Sequence, residues 1–165
     1  MVNISNLGYP RIGENREWKK TLEAFWKGNI SIDEFEINMK AIRLNAIEKQ
    51  LRLGIELIPV NDFTYYDLVL DFATMFGWIP NRFGTLSDKP SLDTYFSFPR
   101  RNKHIVACEM TKWFNTNYHY IVPEYNHDQK SNLIYNKPLE AFLEVKNELG
   151  VITKPVILGI YTFVQ

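Results

Sequence analysis

A second cysteine is missing. Cys108 stands alone among 165 residues, which excludes an internal disulfide and any site built on two thiolates of this chain. Net charge is missing too: nineteen Lys and Arg balance nineteen Asp and Glu, so no global field draws nucleic acid or an anionic membrane. No apolar run reaches the roughly 18 residues of a bilayer span. The start, Met1-Val2-Asn3-Ile4-Ser5, lacks the basic and apolar regions of a signal peptide. Glycine-rich phosphate loops, Gly-x-Ser-x-Gly elbows and His-Glu-x-x-His patterns are also absent. The expectation is a soluble, cytoplasmic protein with no nucleic-acid and no membrane partner. What is present is globular material, 45% hydrophobic and 23% charged. At this length a fold buries roughly 70% of the unfolded surface, so a core needs no staples.

Short apolar runs alternate with helical periods. Asn3 to Leu7 reads as a first strand, broken by Gly8-Tyr9-Pro10-Arg11-Ile12-Gly13. Trp18, Leu22 and Phe25 recur at helical spacing from about Arg16, and Gly28 is a stop. Ser31-Ile32-Asp33-Glu34 is a capping box. It opens a helix whose stripe is Ile32, Phe35, Met39, Ile42 and Ala46, ended by Gly54. Ile55 to Val60 is strand-like, a helix through Val69, Phe72 and Phe76 comes next, and residues 78–93 read as an irregular connection. The spacing predicts a further helix from about Lys103 to Phe114, a strand over Tyr118 to Val122, and a helix from Pro138 to Gly150. Pro155 to Val164 is a last apolar, strand-like run. This alternation points to a parallel α/β architecture. About four strands are present where a closed barrel needs eight, and the chain stops with a strand still running, which reads as a cut.

Parallel α/β folds carry chemistry at the carboxyl ends of their strands. The first such loop holds Arg11, Arg16, Lys19 and Lys20, of which the last three fall at helical offsets in a helix's first turns. One reading is a site for carboxylates or phosphate. The other is a solvated face paired with Glu17 and Glu23, which the residues alone favour. Asn61 and Asp62 follow the second strand and Glu124 the third. Asp62 with Glu124 would make a glycosidase-like acid and base, while Asp62 is equally a helix N-cap. His104 and Cys108, four apart, and His119 do not have the spacing of a zinc site; a buried thiol and satisfied histidines are the simpler account.

Several strings carry a resemblance. They are Asn6-Leu7-Gly8-Tyr9-Pro10-Arg11-Ile12-Gly13 with Arg16-Glu17-Trp18-Lys19-Lys20, and Leu57-Ile58-Pro59-Val60-Asn61-Asp62-Phe63 with Tyr66-Asp67. The run from Glu109 to Tyr120 and Lys154-Pro155-Val156-Ile157-Leu158-Gly159 complete the set. In this order they resemble the start of the cobalamin-independent methionine synthase family, from end to end of the chain.

The resemblance implies a two-barrel enzyme that moves a methyl group from 5-methyltetrahydropteroyltriglutamate to homocysteine. It also implies that residues 1–165 are the first half of the N-terminal (βα)8 barrel. The family's zinc binds homocysteine as a thiolate in a C-terminal barrel, so its ligands are expected outside this chain and the chain alone is expected to be inactive. The folate polyglutamate contacts fall on Arg16, Glu17, Trp18, Lys19 and Lys112. The alternative is a non-catalytic folate-tail-binding or scaffold module. Asn61 stands where the family usually has glycine, Phe98-Pro99-Arg100 where it has Ala-Arg-Gly, and Ile160-Tyr161 in place of a Gly-Pro turn. A half barrel leaves its edge strands open, so the chain is expected to self-associate through Asn3 to Leu7 and Pro155 to Val164.

Overall fold

The computed structural model of the protein describes residues 3–101 and 104–164. In chain order the elements are α1 (Glu17–Trp26), α2 (Ile32–Arg52), β1 (Ile58–Val60), α3 (Leu68–Met75), a 3-10 turn (Asn81–Phe83), α4 (Leu92–Ser97), β2 (Met110–Lys112), β3 (His119–Ile121), α5 (Lys137–Leu149), β4 (Thr153–Pro155) and α6 (Ile160–Val164). They fall into two compact units, one of Met1–Tyr65 with Pro138–Ile157 and one of Tyr66–Lys137 with Leu158–Gln165. The chain is α/β, with parallel strand pairing and helices.

In the first unit β1 and β4 run parallel, pairing Ile58 with Thr153 and Val60 with Pro155. Ser5 adds a single parallel bridge to Leu57, with the Glu56 and Leu57 amides donating to the Ile4 carbonyl, so the expected first strand is reduced to an isolated bridge. The capping box forms in full: Ser31 Oγ accepts from the Glu34 amide at 3.2 Å, and the Glu34 carboxylate accepts from the Ser31 amide at 2.9 Å. These bonds satisfy donors that a helix start leaves open. From there α2 buries Phe35, Met39 and Ile47, while Ile32 at the head of the anticipated stripe stays exposed. Ile47, Ile58, Val60 and Val145 form the core between the strands and the helices α2 and α5. Arg43 clasps Glu144 with two bonds of 2.9 and 2.6 Å, joining those helices beside the core.

In the second unit α3 is buried from Val69 to Met75. The expected N-cap on Asp62 is displaced by Asp67, whose Oδ1 accepts from the Leu70 amide at 2.8 Å. The helix expected from Lys103 to Phe114 does not form over the described residues, Lys103 itself lying outside them. Met110–Lys112 is instead a strand paired antiparallel with His119–Ile121. The intervening turn lets Trp113 and Tyr118 bond backbone to backbone at 2.7 Å, so cross-strand pairing overrides the helical spacing. Glu124 therefore follows an antiparallel hairpin rather than a parallel strand, and His104 and Cys108 do not share a helical face. Helix α4 (Leu92–Ser97), capped by Ser91, begins inside the end of the connection read as irregular. The last apolar run divides. Thr153–Pro155 is strand, the Val156 amide still donates to the Val60 carbonyl at 2.7 Å, and Ile160–Val164 turns helical. Phe163 then stacks on Trp78 with ring centres 4.9 Å apart.

Candidate functional site: a basic helix start framed by the turn after a strand

Three short segments of the first unit build the site. The chain leaves the Ser5 bridge and crosses the carboxyl end of β1 as the loop Gly8 to Gly13. It enters α1 through Arg16, whose φ of +61° is left-handed. Arg16 is thus the residue before the helix, and the helical offsets that grouped it with Lys19 and Lys20 apply only to the two lysines. All three residues are exposed. Lys19 lies 3.6 Å from Glu23, with both side chains about half exposed, so that pair is loose and weak.

Glu17 carries the wrong charge for a tail of carboxylates, and its carboxylate points back into the loop. It accepts from the Asn15 amide at 3.0 Å and from Asn15 Nδ2 at 3.3 Å. A bond from its own backbone N–H, then those from Asn15, hold its pKa below the usual carboxylate value, with the Lys20 charge adding to the effect. A Cβ at Gly13, whose φ is +78°, would collide with this carboxylate. Trp18 faces inward as well. Its indole N–H donates to the Thr64 carbonyl at 3.2 Å, and the Arg11 guanidinium lies over its ring at 4.5 Å.

The turn after β1 supplies the frame. Asn61 has φ +61°, a conformation that asparagine tolerates better than other side chains with a Cβ. Its Nδ2 donates to the Val156 carbonyl at 2.8 Å, which ties the left-handed turn to the end of β4. Asp62 Oδ2 accepts from the Tyr9 amide at 2.7 Å. Between this turn, the loop and α2 lies a cavity of about 320 Å³. Glu17 lines it, while Arg16, Trp18 and Lys19 are not among its walls. Lys49 also lines it and is bonded to Glu14 at 2.6 Å, which raises the lysine's pKa.

Lys112 belongs to the second unit, exposed on β2. Glu124, the other half of the acid and base pair considered from sequence, is engaged there by Arg82 through bonds of 2.5 and 2.6 Å. That pairing lowers its pKa, the reverse of what a general acid needs. The Cys108 thiol is buried, and burial first, then the Glu124 charge, push its pKa up to about 11. Among the described residues no three His, Cys, Asp or Glu side chains converge.

Sequence reasoning missed the frame rather than the cations. The sequence marks Asp62 and Asn61 as a strand-end pair within a family string, but not as acceptor and donor for distant backbone. Their partners, Tyr9 and Val156, lie 53 and 95 residues away in the chain. The one local signal was the loop's two glycines, Gly8 and Gly13.

Known sequences agree with the order of these segments. The family model described as "Cobalamin-independent synthase, N-terminal domain" matches residues 3–165. A relative from Halalkalibacterium halodurans named 5-methyltetrahydropteroyltriglutamate--homocysteine methyltransferase is 59% identical over 161 residues, covering 98% of this chain and 21% of its own length. Relatives of the same name from Bacillus mycoides and Bacillus thuringiensis are 58% and 57% identical over 164 residues, each covering 99% of this chain. The chain spans about a fifth of the length of these curated relatives, 21% in each case. With a match that runs from residue 3 to residue 165, the chain belongs to the cobalamin-independent synthase family, in its N-terminal domain.

Proposed function

We propose that the chain is the N-terminal part of a methyltransferase that moves the methyl group of 5-methyltetrahydropteroyltriglutamate to homocysteine. In that enzyme its share of the work is to hold the folate's polyglutamate tail. The observation that carries this reading is the exposed cationic start of α1, with Arg16 preceding the helix and Lys19 and Lys20 in its first turns. Arginine grips a carboxylate with two parallel bonds and lysine acts as a point charge. Arg16 and Lys19 are then tail contacts in the first unit, and Lys112 is a tail contact of the second unit taken by itself. Glu17 and Trp18 belong to the same segment and shape it, the first by folding onto Asn15 and the second by anchoring to Thr64.

The methyl transfer itself needs a homocysteine thiolate, which zinc supplies when bound in the family's C-terminal barrel. Residues 1–165 represent the first half of the N-terminal (βα)8 barrel, a reading supported by the parallel β1 and β4 ladder with helices packed on it. The chain alone is inactive, pairs with a second copy through the open edge of β4, and works in the cytoplasm. No helix among the described residues is long and apolar enough to cross a membrane.

The test uses the protein at its full natural length. Arg16→Ala and Lys19→Ala raise KM for the triglutamate substrate by a few-fold and leave the monoglutamate nearly unaffected, since exposed charge contacts are worth about 0.5–1 kcal/mol each. Equal losses on both substrates would overturn the tail assignment. Tight tail binding without methyl transfer by the full-length protein would favour the scaffold alternative.

A further inference from the structure

We infer that Asp62 is a positioning residue for tail binding: without touching the tail, its carboxylate sets the backbone that presents Arg16 and Lys19. The inference rests on the proposed tail-binding role and concerns a residue whose reach lies wholly inside the first unit.

The loop from Gly8 to Asn15 has no regular ladder to hold it, yet it fixes where α1 begins. Bonds from one short turn fasten it, the following among them. Asp62 Oδ2 takes the Tyr9 amide at 2.7 Å, and the Thr64 carbonyl takes Trp18 Nε1 at 3.2 Å and Arg11 Nη1 at 3.4 Å. The turn is itself tied down, because Asn61 in its left-handed conformation bonds to the Val156 carbonyl. Asp62 is the only one of these acceptors that carries a charge, and a backbone amide bonded to a carboxylate is held more strongly than one bonded to a neutral acceptor. Asp62 anchors the beginning of the loop, and Thr64 anchors its middle and the first turn of α1.

Close approach makes the contact specific. A Cβ added at Gly8 would lie 3.1 Å from Asp62 Oδ2 and 3.4 Å from its Cβ. The loop therefore sits close enough to the carboxylate that a side chain at Gly8 would make Asp62 shift by a few tenths of an ångström. Losing the carboxylate leaves the Tyr9 amide without its acceptor and lets the loop drift, and a shift of about 1 Å in a positioning segment is enough to cost up to 100-fold in function.

The experiment compares Asp62→Ala, Asp62→Asn and Gly8→Ala in the full-length protein. The first readout is hydrogen exchange of the amides from Tyr9 to Trp18. In Asp62→Ala these exchange faster while α2 keeps its wild-type protection. Asp62→Asn retains an acceptor oxygen at the same place and restores most of the protection, and Gly8→Ala reproduces the loosening from the other side of the contact. The second readout is the triglutamate-to-monoglutamate ratio of KM values. The preference for triglutamate falls roughly tenfold in Asp62→Ala, as expected for a lost bond to a charged group, while kcat moves less than KM. Unchanged exchange over Tyr9 to Trp18, or loss spread evenly over the whole first unit, would overturn the positioning role. A wild-type protein that shows no triglutamate preference at all would instead remove the tail-binding reading, leaving the exchange result to stand for the loop by itself.

Discussion

The Lys19 ammonium lies 3.6 Å from the Glu23 carboxylate, one turn further along α1. The pair is intrahelical and half exposed, so the cation is held loosely and in a known direction. A tail carboxylate that reaches Lys19 competes with Glu23. Glu23→Gln removes the competitor and is expected to strengthen triglutamate binding about twofold, the size of a weak exposed pair. The gain shrinks at high salt, where exposed charges are screened. Calorimetric titration at two salt concentrations checks it, and weaker binding in Glu23→Gln would show that the pair orders Lys19 rather than masking it.

Asp67 makes stability depend on pH. It is fully buried, its two oxygens accept from the Leu70 and Ile121 amides, and burial raises its pKa from 3.8 to about 7 despite those bonds. The nearby Asp71 charge adds to the rise. A carboxyl group whose folded pKa exceeds its unfolded one binds more protons in the folded state between the two values. Its contribution is therefore fully present below about 3.8 and is lost as pH rises through about 7. Urea midpoints for the wild type should fall from pH 6 to pH 8, and Asp67→Asn, which keeps a capping oxygen, should flatten that slope. A parallel pair of profiles would mean that another group titrates.

Cys108 should be a slow nucleophile. A thiol moved from 9.0 to about 11 presents roughly 100-fold less thiolate near neutral pH. Alkylation by iodoacetamide should lag the unfolded protein by at least that factor. Glu124→Gln removes a charge that raises the thiol's pKa and leaves Arg82 3.7 Å from the sulfur, so labelling should accelerate. An unchanged rate would mean that burial alone protects the thiol.

The edge of β4 predicts how the isolated chain behaves. β4 pairs with β1 on one side and has no other strand partner among the described residues. Ile152 and Ile157, which flank it, are 59% and 65% exposed. An open edge bordered by large apolar side chains is a template for a second copy. Sedimentation at micromolar concentration should find dimers or larger species, and Ile157→Lys should shift them toward monomer. A clean wild-type monomer would refute the association. Methionine formation by these 165 residues alone, supplied with both substrates and zinc, would refute their inactivity.

What the sequence determined by itself was local or carried by strings. The Ser31 to Glu34 capping box specified the start of α2 because both partners lie within four residues, and Gly54 closed the same helix with a φ of +81°. The cationic run from Arg16 to Lys20 and the family strings were likewise legible without coordinates. Tertiary structure decided the rest. The segment around Met110 has helical spacing but takes its hydrogen bonds from β3, and Ile160–Val164 is apolar enough for a strand but turns helical, with Phe163 against Trp78. The site's frame was invisible for the same reason. Asp62 matters through an amide 53 residues away, and Arg16 leaves the helical register with a φ of +61°. Short-range donors and spacings are written in neighbouring letters. Which distant backbone group completes a carboxylate's bonds is settled only when the chain has folded.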